Sequence, residues 1–138
     1  MNNMQYQQGS LKYNLMAIAL VIVGLVALVW GMLPPTYSTD LSLVGKDKPA
    51  IVIVYESDSL SSMQLVEKMN PLRVTYEQQI HFILADVNDP NGAAFQRSAN
   101  VHDGSALFYS AKGEKLFELQ GPRETEVLKD LIIKIFKI

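Results

Sequence analysis

Residues 50–55 read Ala-Ile-Val-Ile-Val-Tyr and run directly into Glu56-Ser57-Asp58-Ser59-Leu60-Ser61-Ser62-Met63. A continuous β-branched run of this length predicts a strand buried on both faces, because a half-buried strand would alternate with polar residues. Leu60, Met63, Val66, Met69 and Leu72 then recur at helical spacing. That spacing predicts a helix starting near Ser59–Ser62, with Ser59 or Ser61 as its cap. Pro71 is expected to kink or shorten it. Strand, polar loop and capped helix in immediate succession are the start of an α/β unit.

Working outward toward the C-terminus, Ile80–Val87 (IHFILADV) reads as a second buried strand. Asp89-Pro90-Asn91-Gly92 is a turn that leads into a short helix around Ala93–Ser98. Ser105–Ser110 and Lys115–Leu119 flank Ala111-Lys112-Gly113-Glu114 and predict a β-hairpin. After Gly121-Pro122 a last helix runs through Val127, Leu128, Leu131, Ile132 and Ile135. The order is βαβαββα: an α/β fold with a mixed four-stranded sheet, two parallel strands and a hairpin over residues 49–138.

Toward the N-terminus, residues 34–48 read as a linker rich in Thr, Ser, Asp and Lys. Leu15–Leu33 has no charge or strongly polar group, and only Gly24 and Gly31 lack an apolar side chain. As a helix it would span about 28 Å, near the roughly 30 Å hydrocarbon thickness of a bilayer. A buried helix of a soluble protein would show a polar face, and this stretch has none. A cleaved signal peptide fits less well, since Lys12 alone would form the charged region and no small-x-small site follows. The expectation is an uncleaved transmembrane helix preceded by a polar tail, residues 1–14, too short to fold alone. Trp30 and Tyr13 sit at interfacial depths, and Pro34-Pro35 stops the helix. Lys12 before the span, against Lys46 and Lys48 interleaved with Asp40 and Asp47 beyond it, favours a cytoplasmic N-terminus. The C-terminal domain would then lie on the periplasmic or extracytoplasmic side of the inner membrane.

Composition removes several function classes. The 138 residues carry 12 Lys+Arg and 14 Asp+Glu, a net charge of -2, without the basic excess of a nucleic-acid binder. There is no cysteine, which excludes disulfides, thiolate zinc sites, iron–sulfur clusters and thiol nucleophiles. His81 and His102 are the only histidines.

From Lys48 to Ile138 the chain resembles the thioredoxin superfamily. IVIVYESDSLSSMQLVEKM is similar to that family's first core strand, active-site turn and helix, and ADVND looks like the end of its next strand. NVHDGSALFYSAKGEKLFELQG resembles its loop, hairpin and trailing glycine, and GPRETEVLKDLI its terminal helix. The resemblance does not carry the family's chemistry. Its redox CxxC falls on Ser59, Leu60, Ser61 and Ser62, and disulfide exchange needs a thiolate attacking sulfur. The buried acid that assists proton transfer falls on Ile53, which cannot titrate. The cis-proline falls on Ser105, where a cis bond would cost about 2.5–4 kcal/mol. The resemblance therefore implies a redox-inactive member with no cofactor.

Other chemistry has thin support. Glu56, Asp58, Ser59, Ser61 and Ser62 share a loop that this fold sets opposite His102-Asp103, which supplies the residue types of a Ser/His/Asp hydrolase. No G-x-S-x-G elbow accompanies them, and serines are common helix caps. Glu56, Asp58, Asp86 and Asp89 match no calcium loop, so no metal site is expected. His81 reads as a strand-edge residue. Docking surfaces are better supported. Ala17, Gly24, Ala27 and Gly31 fall near one face of the span, where small residues permit close helix packing in lipid. Ile133 stands among Lys129, Lys134 and Lys137, away from Val127, Leu131 and Ile135, with Phe136 at its border. The loop residues Glu56, Asp58, His102 and Asp103 are further candidates for partner contact. The expected function is a protein-binding accessory or assembly subunit of an envelope membrane complex. An enzyme with a rebuilt Ser/His site, or a purely structural subunit, are the alternatives. If Leu15–Leu33 is an uncleaved anchor, the mature protein keeps Met1 and resists carbonate extraction; a mature N-terminus beyond Pro35, or release into the soluble fraction, would overturn it.

Overall fold

A computed structural model describes residues 5–32 and 36–138. The expected stop at Pro34-Pro35 lies outside the described residues, as do the side-chain surroundings of Trp30 and Gly31. The chain divides into two units, Met1–Thr36 and Tyr37–Ile138.

The first unit is a helix, α1, over Gln5–Met32. Within it Leu11–Val29 is long and apolar enough to cross a membrane. The helix begins well inside the polar tail, because each residue added to an existing helix gains a hydrogen bond without a new nucleation cost. Nothing lies within 4 Å of a Cβ placed on Gly24.

The second unit follows the expected order: β1 (Ala50–Tyr55), α2 (Leu60–Tyr76), β2 (His81–Asp86), α3 (Pro90–Ala99), β3 (Ser105–Tyr109), β4 (Lys115–Gln120) and α4 (Thr125–Phe136). The sheet order is β2-β1-β3-β4, with β1 parallel to β2 and antiparallel to β3. β1 alternates between two cores, which is why its sequence has no polar side. Ile51 and Ile53 face Leu65 and Met69 of α2 and Leu128 and Ile132 of α4. Ala50, Val52 and Val54 face the opposite layer, where Phe95 and Ala99 of α3 pack. The hairpin carries a bulge between Phe108 and Tyr109 opposite Phe117 and Lys115.

Four expectations are corrected. Pro71 does not shorten α2, which continues to Tyr76. Its ring is on the exposed side while Leu72 and Arg73 are held in the core, so the missing hydrogen bond faces solvent. α3 starts earlier than expected, with Pro90 in its first turn, where no N–H is needed. On α4, Val127 is exposed and Phe136 belongs to the packed side, its ring 5.8 Å from that of Phe108. Phe136 is therefore committed to the core rather than to a docking face.

The fourth correction concerns residues 34–48. From Tyr37 onward this stretch is a strap on the sheet, not a free linker. Ser38 bridges in parallel to Ile83: its N–H donates to Phe82 O at 3.3 Å, and its carbonyl accepts from Leu84 N–H at 2.8 Å. The outer edge of β2 is thus occupied there. Asp40 caps a single turn at Leu41–Leu43, and hydrogen bonds from Ser42 hold its carboxyl below the usual range. Leu41, Leu43 and Val44 cover Val52 and Ile83. Gly45, at φ 83°, passes so close to the hairpin turn that a Cβ would sit 3.3 Å from Lys112 O. His81 Nε2 donates to Lys46 O at 2.9 Å, closing the strap against the start of β2.

Tyr37 fixes the strap at its other end. The Arg73 guanidinium lies 5.1 Å from the centre of its ring, and its hydroxyl donates to Val66 O at 3.5 Å. Burial pushes the Tyr37 hydroxyl up to about 12, against the lowering influence of Arg73.

Two outcomes follow. Ile53 is fully buried in the central strand, so Ile53→Asp should lower unfolding stability by about 3 kcal/mol or more, and a loss below about 1 kcal/mol in urea melts would refute its core position. Between pH 10 and about 12 the unfolded tyrosine ionises while folded Tyr37 stays protonated. Stability present below pH 10 should therefore decline across that window, and Tyr37→Phe should flatten this part of the decline.

Candidate functional site

The loop after β1 is built around hydroxyl groups. Ser59, extended at φ -96° and ψ 117°, caps α2 by accepting the Ser62 N–H at 3.3 Å. Its position follows from the turn Glu56–Ser59, closed by the Ser59 N–H on Glu56 O at 3.1 Å. Ser62 faces inward and is completely buried. Its Oγ accepts the Glu56 N–H at 3.2 Å and donates to Asp103 Oδ2 at 3.4 Å. One hydroxyl therefore ties together the end of β1, the start of α2 and the loop before β3.

That second loop is held equally firmly. Gly104, at φ 75°, donates to Val54 O at 2.8 Å and accepts from Gly121 N–H at 2.9 Å. A side chain there would collide with Ser61 Oγ, so only glycine allows the two loops to close. Ser105 is buried opposite Val54, and its Oγ has no hydrogen-bond partner. No peptide bond among the described residues is cis, Gly104–Ser105 included.

The structure thus brings Ser59, Ser61, Ser62, Asp103 and the Glu56 backbone together. It leaves other members of the expected set apart. His102 is exposed, and among the described residues no hydrogen bond joins it to a serine. Asp58 and Leu60 are also exposed. The contact is serine to carboxylate, without the imidazole that would take the proton in a triad. Ser62 is fully buried, and so is Ile53 beneath the loop. What the arrangement does chemically is satisfy buried polar groups. Neither the pairing of Asp103 with Ser62 nor the close approach at Gly104 follows from local spacing in the sequence. The Asp-Gly pair is the signal that marks this turn.

Ile133 is exposed on α4, as expected. The hydroxyl of Tyr109, at the far end of β3, is raised by burial and by Glu118 nearby.

No family model matches the chain, and no curated protein matches it. Solved structures do. One is the Malassezia sympodialis thioredoxin (Mala s 13), described as cross-reactive and a member of a new pan-allergen family. It superposes with a TM-score of 0.59 at 14% identity, over 68% of this chain and 82% of that one. At that identity the likeness shows the fold, and the fold is thioredoxin-like.

Proposed function

We propose that this chain, a thioredoxin-like domain following an apolar N-terminal helix, is a redox-inactive binding protein: an accessory or assembly subunit of an envelope membrane complex. The observation that carries the reading is Ser62. The position matched to a redox thiol holds a buried hydroxyl whose hydrogen bonds are spent on Glu56 and Asp103. A loop used as a structural joint has no group left for exchange chemistry, and the chain has no sulfur nucleophile.

The partners of this reading are membrane protein subunits and the bilayer itself. α1 is the anchor in the inner membrane, with a cytoplasmic N-terminus and a periplasmic domain, a topology motivated by Lys12 and the positive-inside rule. The small residues Gly24, Ala27 and Gly31 supply the helix contact, since lipid offers no hydrophobic substitute for close packing. Ile133 supplies a contact from the domain.

Replacing Ser59, Ser61 and Ser62 together with alanine should leave assembly intact in co-purification from mild detergent, at a cost of roughly 0.5–2 kcal/mol for the cap and about 1–3 kcal/mol for the unpaired Glu56 N–H. Gly24→Leu with Gly31→Leu, or Ile133→Asp, should detach the protein from its complex with the domain still folded. Loss of function in the folded serine variant or in His102→Ala, with assembly unaffected, would replace this reading with a rebuilt enzyme.

A further inference from the structure

We infer that the outward face of α2 is the docking surface for a partner helix that is apolar and carries a Lys or Arg at its centre, an inference that rests on the binding function proposed above. At helical spacing Leu60, Met63, Glu67, Pro71 and Val74 form one strip opposite the buried side of α2. Leu60 is 68% exposed, Met63 50% and Val74 59%. A surface helix normally concentrates its apolar residues on the core side. Here Leu60, Met63 and Val74 stand on the outward side as well.

The strip also specifies the chemistry of its occupant. Glu67 stands near its middle, exposed, and forms no ion pair among the described residues. Four residues on, Pro71 has no N–H, so the Glu67 carbonyl lacks the donor that an α-helix would supply. A carboxylate and a bare carbonyl therefore lie between apolar ends, and both can only accept. Lys and Arg only donate, which makes them complementary. Nearby cations are otherwise engaged: Lys68 pairs with Glu124 at 3.1 Å, and Arg123 donates to Gln120 O and Pro122 O. Beside Glu67 a groove of about 320 Å³, lined also by Gln64, Pro122, Arg123 and the paired Lys68 and Glu124, has room for a long side chain. A second copy of α2 fits poorly, because two-fold pairing about its middle sets one Glu67 against the other. An anionic lipid surface would meet the same repulsion.

The test places a photo-crosslinking residue at Met63 or at Val74 of the full chain in its native membranes, and sequences the captured peptides. Both positions should capture one partner segment, apolar with a Lys or Arg. Glu67→Lys should lower the yield about tenfold or more, as loss of a buried interfacial charge pair does. Pro71→Ala should lower the yield while raising the melting temperature, since the restored N–H occupies the carbonyl. Capture of lipid, of a second copy or of an acidic segment, no capture at all, or a yield indifferent to Glu67→Lys, would overturn the inference. Should Gly24→Leu with Gly31→Leu still detach the protein from its complex while Glu67→Lys does not, the binding function stands and only this surface fails. If the wild-type chain co-purifies with no subunit, the binding function itself fails.

Discussion

The domain depends on covering β1 from both sides. Five of its six residues are fully buried, and they divide between a layer containing α2 and α4 and a layer containing α3 and the strap. Burial of an aliphatic side chain stabilises by about 1.5–3 kcal/mol, so neither layer is dispensable in a domain of this size. The strap follows from that requirement. α3 is short and reaches the cluster of Ala50, Val52 and Ile83 through Phe95, and Leu41, Leu43 and Val44 of the strap complete the cover.

The loop at the C-terminal end of β1 obeys a second constraint. Three backbone segments converge there, and polar groups taken out of water must find partners. Ser62 answers two of these demands with one hydroxyl, and Gly104 removes the side chain that would hold the loops apart. The same geometry can carry reactive groups or inert ones. In this chain it carries hydroxyls and a carboxylate and no thiol, so the likeness in fold to a thioredoxin does not extend to thiol chemistry.

How much of this was readable in the sequence depends on the range of the interaction involved. β1 was plain, because double-sided burial writes itself as an uninterrupted apolar run. The hairpin and the Ser59 cap were plain for similar local reasons. The strap was not: Tyr37, Leu41, Leu43 and Val44 are spaced among Thr, Ser, Asp and Lys, and their partners lie in α2, β1 and β2. Tyr37 and Arg73 are 36 apart in sequence, and Ser62 and Asp103 are 41 apart. No periodicity reports such pairs. The continuation of α2 past Pro71 was hidden for another reason. A helix breaker is tolerated when the broken bond faces water and the opposite side is pinned, which propensity alone does not register.

The strap also decides where this protein can be cut. A soluble fragment begun at Pro49, the first residue before the regular elements, would remove the bridge at Ser38, the cover over Val52 and the clamp on Arg73 together. It would uncover backbone donors and acceptors along β2 beside fresh apolar surface, the combination that seeds strand-to-strand aggregation. A fragment begun at Thr36 keeps all three. The functional boundary of the domain thus lies a dozen residues upstream of its first strand, in a stretch whose composition resembles a spacer.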